Sequence, residues 1–262
     1  MKLSISNIAW SAENDLEMYD FLSQEGFTLE IAPTRIFENN PYEDLSKASR
    51  FQKDLLAKYG FGISSMQSIC FGRSEAIFGS EEERKAIFHY TLKAIDFASA
   101  IDCNNLVFGS PKNRIIGENQ MEIAYDFFKG LGKYAESKNT IMALEANPEI
   151  YGTNFITTTQ QAFDFVKEAN CPGLMVNVDL GTILNNNESL EILEKNLKLV
   201  NHIHISEPYL ERIVERKIHE DLAKMLVENK YDKFVSIEMK NQNSIESVKE
   251  TANYIKSIFH VT

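Results

Sequence analysis

Two histidines and three carboxylates stand where short apolar segments of the chain end. His202 and His204 are two residues apart in an apolar run, and alternate side chains of a β-strand share a face, so both imidazoles are expected to point the same way. Three further apolar runs each end in one carboxylate, namely Glu145, Asp179 and Glu238. Three carboxylates that meet would repel one another without a cation, and oxygen ligands with one imidazole suit Mn²⁺, Mg²⁺ or Co²⁺. The pattern therefore predicts a divalent metal site, provided that the four segments converge.

Eight short apolar segments alternate with longer amphipathic segments along the 262 residues, and no linker rich in Gly, Ser or Pro interrupts the series. Strict alternation predicts a parallel sheet covered on both faces, and eight units in this length favour an α/β fold closed into a (β/α)8 TIM barrel. We therefore expect a single domain over residues 1–262. Functional sites of such barrels form at the carboxyl ends of the strands, where the predicted ligands stand. The predicted strands are Leu3–Ala9, Thr28–Ala32, Gly62–Gln67, Asn105–Gly109, Thr140–Glu145, Leu174–Asp179, His202–Ser206 and Phe234–Met239.

Helix boundaries can be read from single residues between these strands. Ser80 and Thr158 are expected to cap helices at their N-termini, and Gly26 and Gly60 to end the helices that precede them. The two histidines that fall on predicted helices, His89 and His260, are expected to be structural or exposed.

Further polar and aromatic residues near strand ends are candidates for supporting roles. His202 lies one layer deeper than His204 and is expected to support the ligands rather than to bind the metal. His219 begins a predicted helix, Glu220–Leu226, and is either a support at the rim or a surface residue. Glu30 could also present a polar group inward. The candidates for substrate contacts are Trp10, Gln67, Glu207, Lys112 and Arg114, with core packing as the alternative for Trp10 and a solvated loop charge for the last three.

Composition restricts the classes of partner. Asp and Glu outnumber Lys and Arg by 38 to 27, for a net charge of −11, which disfavours nucleic-acid binding. The three cysteines follow no metal or disulfide spacing, so buried thiols in a reducing compartment are expected. Neither a secretory signal nor an apolar run of about 18 residues is evident. We expect a cytoplasmic protein that binds a small molecule and neither nucleic acid nor membrane.

The four predicted ligands lie in motifs that resemble the metal-ligand motifs of the xylose isomerase-like TIM barrels. This superfamily includes sugar-phosphate isomerases and epimerases, ketose 3-epimerases, inosose dehydratases and endonuclease IV. The resemblance covers essentially the whole chain. It implies one Mn²⁺-like ion, with Mg²⁺, Co²⁺ or Zn²⁺ as alternatives, held by Glu145, Asp179, His204 and Glu238. It also implies that Glu145 and Glu238 exchange a proton on opposite faces of a metal-bound enediolate, and members of the family often form homodimers.

Three positions depart from the pattern of the ketose epimerases. Thr182 stands where these enzymes carry a histidine, Leu210 where they carry an arginine, and Tyr151 where they carry an acidic residue. The extra histidines of endonuclease IV are also missing, with Gln67 on the third strand, so a trinuclear zinc site is not expected. The first hypothesis is an isomerase or epimerase of a sugar or sugar-like ketone. The alternatives are an inosose-type dehydratase with the same site and a non-catalytic barrel that serves as an accessory or binding protein.

Overall fold

Eight parallel strands close into a barrel in the order β1 to β8, with β1 paired to β8. The structure is a computed structural model and describes residues 1–259, so His260 lies outside the described residues. The closed ring of eight parallel strands confirms the predicted (β/α)8 TIM barrel. The strands are β1 Lys2–Ser6, β2 Thr28–Ile31, β3 Ile63–Met66, β4 Asn105–Phe108, β5 Ile141–Glu145, β6 Leu174–Asp179, β7 Val200–Ile205 and β8 Phe234–Ile237.

Helices follow the strands and cover the outside of the barrel. Their bounds are α1 Asp15–Glu25, α2 Pro33–Ile36, α3 Leu45–Tyr59, α4 Glu81–Ala100, α5 Met121–Ser137, α6 Thr159–Ala169, α7 Leu180–Asn186, α8 Leu190–Asn196, α9 Lys217–Glu228 and α10 Ile245–Phe259. Of the described helices, none unites the length and the apolar character that a membrane crossing would need.

The predicted helix boundaries are confirmed at four positions. Ser80 and Thr158 each form a capping box, in which the hydroxyl accepts an N–H of the first turn and a side chain of that turn accepts the N–H of the cap. Gly26 and Gly60 end α1 and α3 with φ of 77° and 76°, a left-handed conformation that costs glycine little. The first strand is shorter than predicted, because residues 7–9 form a 3₁₀ turn.

Strand alternation divides the side chains between two environments. Ile203 and Ile205 of β7 are fully buried and belong to the apolar core, as do the helix faces that cover the strands. The other parity points into a barrel interior that is unusually polar, since Ser4 and Ser64 share a hydrogen bond of 2.7 Å there. His202 and His204 belong to this inward set. The cysteines are buried and free, as predicted.

Candidate metal centre

Three carboxylates and one imidazole meet at the carboxyl ends of four successive strands. Glu145 and Asp179 are the last residues of β5 and β6, His204 lies near the end of β7, and Glu238 follows β8 directly. One ligand atom from each lies within 4.8 Å of the corresponding atoms of the other three. His204 is fully buried, and the carboxylates are only 8–9% exposed. The structure thus brings together the four residues that the sequence singles out as metal ligands.

The imidazole of His204 is held in one orientation by carboxylates on both sides. Its Nδ1 lies 3.1 Å from Oε1 of Glu145 and 3.0 Å from Oε2 of Glu238. Its Nε2 lies 3.1 Å from Oε2 of Glu30, a fully buried residue of β2. A ligating histidine commonly donates its second ring N–H to a carboxylate, which fixes the tautomer. Nδ1 is therefore the nitrogen that faces the cluster.

Asp179 is fixed by the start of the helix that follows it. It caps α7, and its Oδ2 accepts the backbone N–H of Thr182 at 2.8 Å and the Thr182 hydroxyl at 2.9 Å. Ser206 donates its hydroxyl to the other oxygen. Thr182, which replaces a histidine of the ketose epimerases, thus serves to orient a predicted ligand.

Glu145 is held by two asparagines that the sequence analysis did not single out. Asn177 donates to Oε1 at 2.6 Å and Asn147 to Oε2 at 2.9 Å. Arg114 lies behind this group, where its Nη2 donates to the backbone oxygen of Glu145 at 2.8 Å and to Oδ1 of Asn147 at 2.6 Å. Each asparagine stands two residues from a predicted ligand, Glu145 or Asp179. The parity of strands and their extensions could therefore have pointed to both.

Repulsion among the three carboxylates affects the pKa values of the cluster. Burial, together with the charges of Glu145 and Asp179, raises the pKa of Glu238 to about 7. Burial and the charge of Glu145 also raise the pKa of Asp179. Burial alone would lower the pKa of His204, but Glu238 and Glu30 raise it well above its ordinary value. The cluster carries more negative charge than its surroundings neutralise, so a divalent cation fits it in charge and in ligand type.

A cavity of about 190 Å³ opens over the three carboxylates. Gln67, one of the predicted substrate contacts, lines it and donates to Oγ of Ser6 at 2.9 Å. No lysine or arginine of residues 1–259 lines it. The other lining residues are Ser68, Val107, Gly109, Ser110, Pro111, Asn147, Tyr151 and Leu210.

Three of the residues predicted to contact the substrate do not line this cavity. Trp10 is 2% exposed, and its indole N–H donates to Asp15 at 2.8 Å, so it packs in the core. Glu207 accepts two hydrogen bonds of 2.7 Å from Arg216 and is therefore an anchor of its own loop. Arg114 is fully buried behind Glu145, where no substrate phosphate can reach it.

The remaining candidates are placed as follows. Nε2 of His202 lies 3.0 Å from Oε2 of Glu30, the carboxylate that also faces the imidazole of His204. His219 lies in the first turn of α9, as predicted, but it is fully buried, with Nδ1 2.9 Å from the Tyr254 hydroxyl, and is therefore not a surface residue. Lys112 is exposed in the 3₁₀ turn after β4.

The loop after β7 has a strained backbone at the edge of the cavity. Tyr209 and Leu210 have φ of 62° and 53°, which side chains other than glycine rarely adopt and which costs about 1–3 kcal/mol each. Three hydrogen bonds hold this conformation. The Tyr209 N–H donates to the Tyr151 hydroxyl at 2.7 Å, the Leu210 N–H to the Glu207 oxygen at 2.9 Å, and the Lys240 N–H to the Leu210 oxygen at 2.8 Å.

Solved structures with this architecture include several sugar epimerases. The 3-keto-D-glucoside 4-epimerase of E. coli has a TM-score of 0.79 at 16% identity, covering 98% of this chain and 99% of that chain. The D-psicose 3-epimerase of Clostridium cellulolyticum, solved with D-tagatose, has a TM-score of 0.80 at 14% identity and 99% coverage of both chains. A sugar phosphate isomerase/epimerase of Parabacteroides distasonis has a TM-score of 0.73 at 16% identity, covering 100% and 97%. At such identities the likeness shows a shared fold.

Sequence comparison gives the family directly. No curated protein sequence matches this chain. The family model described as xylose isomerase-like TIM barrel matches residues 25–258, which is most of the chain and includes all four candidate ligands. The protein therefore belongs to the xylose isomerase-like TIM barrel family.

Proposed function

We propose that the protein is a divalent-metal-dependent isomerase or epimerase of a sugar or sugar-like ketone. The observation that carries this proposal is the convergence of three carboxylates and Nδ1 of His204 under one cavity. The oxygen-rich set favours Mn²⁺, with Mg²⁺, Co²⁺ or Zn²⁺ as alternatives. A cation bound here would polarise a carbonyl oxygen and neutralise the negative charge that develops when the adjacent carbon loses its proton.

Two glutamates of the cluster can move that proton. Glu145 ends β5 and Glu238 follows β8. These strands are three apart in the ring of eight, so the two side chains enter the cavity from different sides. Oε2 of Glu238 faces His204, whereas no side chain of residues 1–259 donates to its Oε1, which leaves that oxygen available as a base. A carboxylate within hydrogen-bond reach of the substrate carbon can remove its proton and, once protonated, return it. If one glutamate removes the proton and the other returns it, the carbon is inverted when the proton returns to its opposite face, and the carbonyl group moves when the proton returns to the neighbouring carbon.

The cavity also restricts the substrate. About 190 Å³ is below the roughly 300–1,000 Å³ typical of drug-sized ligands, which supports a single small sugar. Three carboxylates and no lining lysine or arginine among the described residues oppose a phosphate group. We therefore propose an uncharged ketose or polyol ketone as the substrate class.

The decisive experiment is hydrogen exchange with solvent. The Mn²⁺-loaded protein is incubated in D₂O with a panel of ketopentoses and ketohexoses, and the products are analysed by mass spectrometry and NMR. Deuterium at the carbon next to the carbonyl supports the proposal, net loss of water marks a dehydratase, and no reaction despite bound metal marks a binding protein. Glu145→Gln and Glu238→Gln should lose exchange, whereas Glu149→Gln, an exposed carboxylate near the site, should retain it.

A cytoplasmic location and a homodimer complete the proposal. The three buried, free thiols of Cys70, Cys103 and Cys171 are consistent with a reducing compartment. The homodimer rests on the family resemblance alone, and light scattering of the purified protein would test it.

A further inference from the structure

Tyr151 lines the cavity over the candidate metal centre. It ends a 3₁₀ turn, Glu149–Tyr151, in the loop that follows β5. Its side chain lines the same cavity as Glu145, Asp179 and Glu238. The position is acidic in the ketose epimerase pattern, so a phenol here changes the chemistry that the cavity offers.

The hydrogen bonds of the phenol leave its own proton free. Its oxygen accepts the backbone N–H of Tyr209 at 2.7 Å, and the two rings pack edge to face with centroids 5.9 Å apart. The left-handed backbone of Tyr209 and Leu210 aims this N–H at the phenol. The hydroxyl proton of Tyr151 has no acceptor among residues 1–259.

The charge around the phenol keeps it protonated. Burial raises the pKa of Tyr151 to about 12, and the charges of Asp179, Glu238 and Glu145 contribute to this increase. The phenol lines the same cavity as these carboxylates. At neutral pH, Tyr151 is therefore a neutral donor beside the groups that would transfer the proton.

The two amides that line the cavity each donate a hydrogen bond to another side chain. The amide of Asn147 donates to Glu145, and that of Gln67 donates to Ser6. Leu210, where the ketose epimerase pattern has an arginine, offers no donor. Tyr151 is thus a neutral hydroxyl donor of the cavity lining whose proton has no acceptor among residues 1–259.

We infer, on the basis of the proposed function, that Tyr151 is a further catalytic residue, whose phenol donates a hydrogen bond to the substrate oxygen on which negative charge develops. Such a donor stabilises the transition state more than the ground state, because the oxygen becomes a stronger acceptor as the proton leaves. The substrate must therefore present a carbonyl oxygen at this point. An acidic residue at the same position would instead accept a hydrogen bond from a substrate hydroxyl.

The first test observes the hydrogen bond without turnover. Protein carrying carbon-13 at the phenolic carbon of tyrosine is loaded with Mg²⁺ and titrated with glycolohydroxamate, a small planar analogue of an enediolate. Tyr151→Phe and Tyr209→Phe assign the two resonances. We expect the Tyr151 resonance to shift on saturation and that of Tyr209 to shift much less. A Tyr151 resonance that stays in place at saturation overturns the inference.

The second test is kinetic. Tyr151→Phe should lower kcat for ketose exchange about 100-fold while KM changes less than about threefold, as expected for a donor that acts in the transition state. Tyr209→Phe keeps the ring and the backbone N–H and should retain kcat. A Tyr151→Phe variant that keeps kcat, or that loses Mg²⁺ affinity along with it, contradicts a catalytic role. If no ketose reacts but the Tyr151 resonance still shifts, the proposed function fails while the hydrogen bond stands.

Discussion

Replacement of Glu30 by glutamine tests how the barrel orients its imidazole ligand. Glu30 is fully buried on β2, and its Oε2 lies 3.1 Å from Nε2 of His204 and 3.0 Å from Nε2 of His202. Burial alone would raise the pKa of Glu30, but the imidazoles lower it below its ordinary value, so the carboxylate stays ionised. Glutamine keeps the shape and removes the charge.

The expected effect is a large loss of metal affinity without loss of a ligand. A carboxylate that accepts the second N–H of a ligating histidine typically contributes 10–100-fold in affinity, or about 1.4–2.8 kcal/mol. The Glu30–His204 pair is fully buried, so solvent does not screen it and we expect the upper half of this range. Glu30→Gln should therefore weaken Mn²⁺ binding by about 30–100-fold.

The assay is competition for Mn²⁺ with a chromophoric chelator at fixed pH. Glu43→Gln, which removes an exposed carboxylate paired with Lys93, serves as the control and should bind like the wild type. Circular dichroism confirms that Glu30→Gln is folded. An affinity within about threefold of wild type would refute the orienting role of Glu30.

Three further outcomes are expected. Mn²⁺ binding near pH 7 should release about one to two protons, because the pKa of Glu238 is raised to about 7 and that of His204 is raised well above its ordinary value. Calorimetry in buffers of different ionisation enthalpy measures the number of protons released. A Mn²⁺ affinity that does not rise from about pH 6 to 8 would contradict this prediction. Free Mn²⁺ at 100 times its Kd should stabilise the fold by about 2.7 kcal/mol, seen as a higher Tm that EDTA reverses; an unchanged Tm would argue against a site formed in the native state. Burial lowers the pKa of His219 to about 4. Below about pH 6.5 the unfolded chain therefore binds more protons at this residue than the folded chain does. The stability present above that pH should be lost as the pH falls toward 4, by up to about 3 kcal/mol. Urea unfolding of His219→Gln should show a shallower pH dependence than that of the wild type, and equal slopes would disprove the assignment.

Most of the fold could be predicted from hydrophobic patterning. The eight strands alternate with amphipathic helices, and each of the eight predicted segments overlaps a strand of the barrel. The largest error is at the first strand, where Asn7 turns out of the sheet and accepts the Ala32 N–H at 2.8 Å. A contact between two distant segments ends that strand, and periodicity within one segment cannot reveal it.

The candidate ligands could be identified because each lies at or beside the end of a strand, whereas several of the contacts around them could not be predicted. The parity of a strand shows that Glu30 faces inward, but only closure of the barrel shows that it meets His204 on β7. Arg114 looks like a solvated loop charge in the sequence, yet the loop after β4 folds it beneath Glu145. Trp10 follows its predicted strand, at a position where an aromatic ring could stack on a sugar. Its indole instead donates a hydrogen bond to Asp15 and is buried in the core. Such partners depend on tertiary contacts rather than on local pattern.

The position of the bound ion tests the central claim most directly. Crystals grown with Mn²⁺ would locate it through an anomalous difference map. We predict one peak about 2.0–2.3 Å from Nδ1 of the imidazole and from one oxygen of each carboxylate, with His204, Glu145, Asp179 and Glu238 as its ligands. A peak at the neighbouring group of Glu30, His202 and Nε2 of His204, or no peak near β5 to β8, would contradict it.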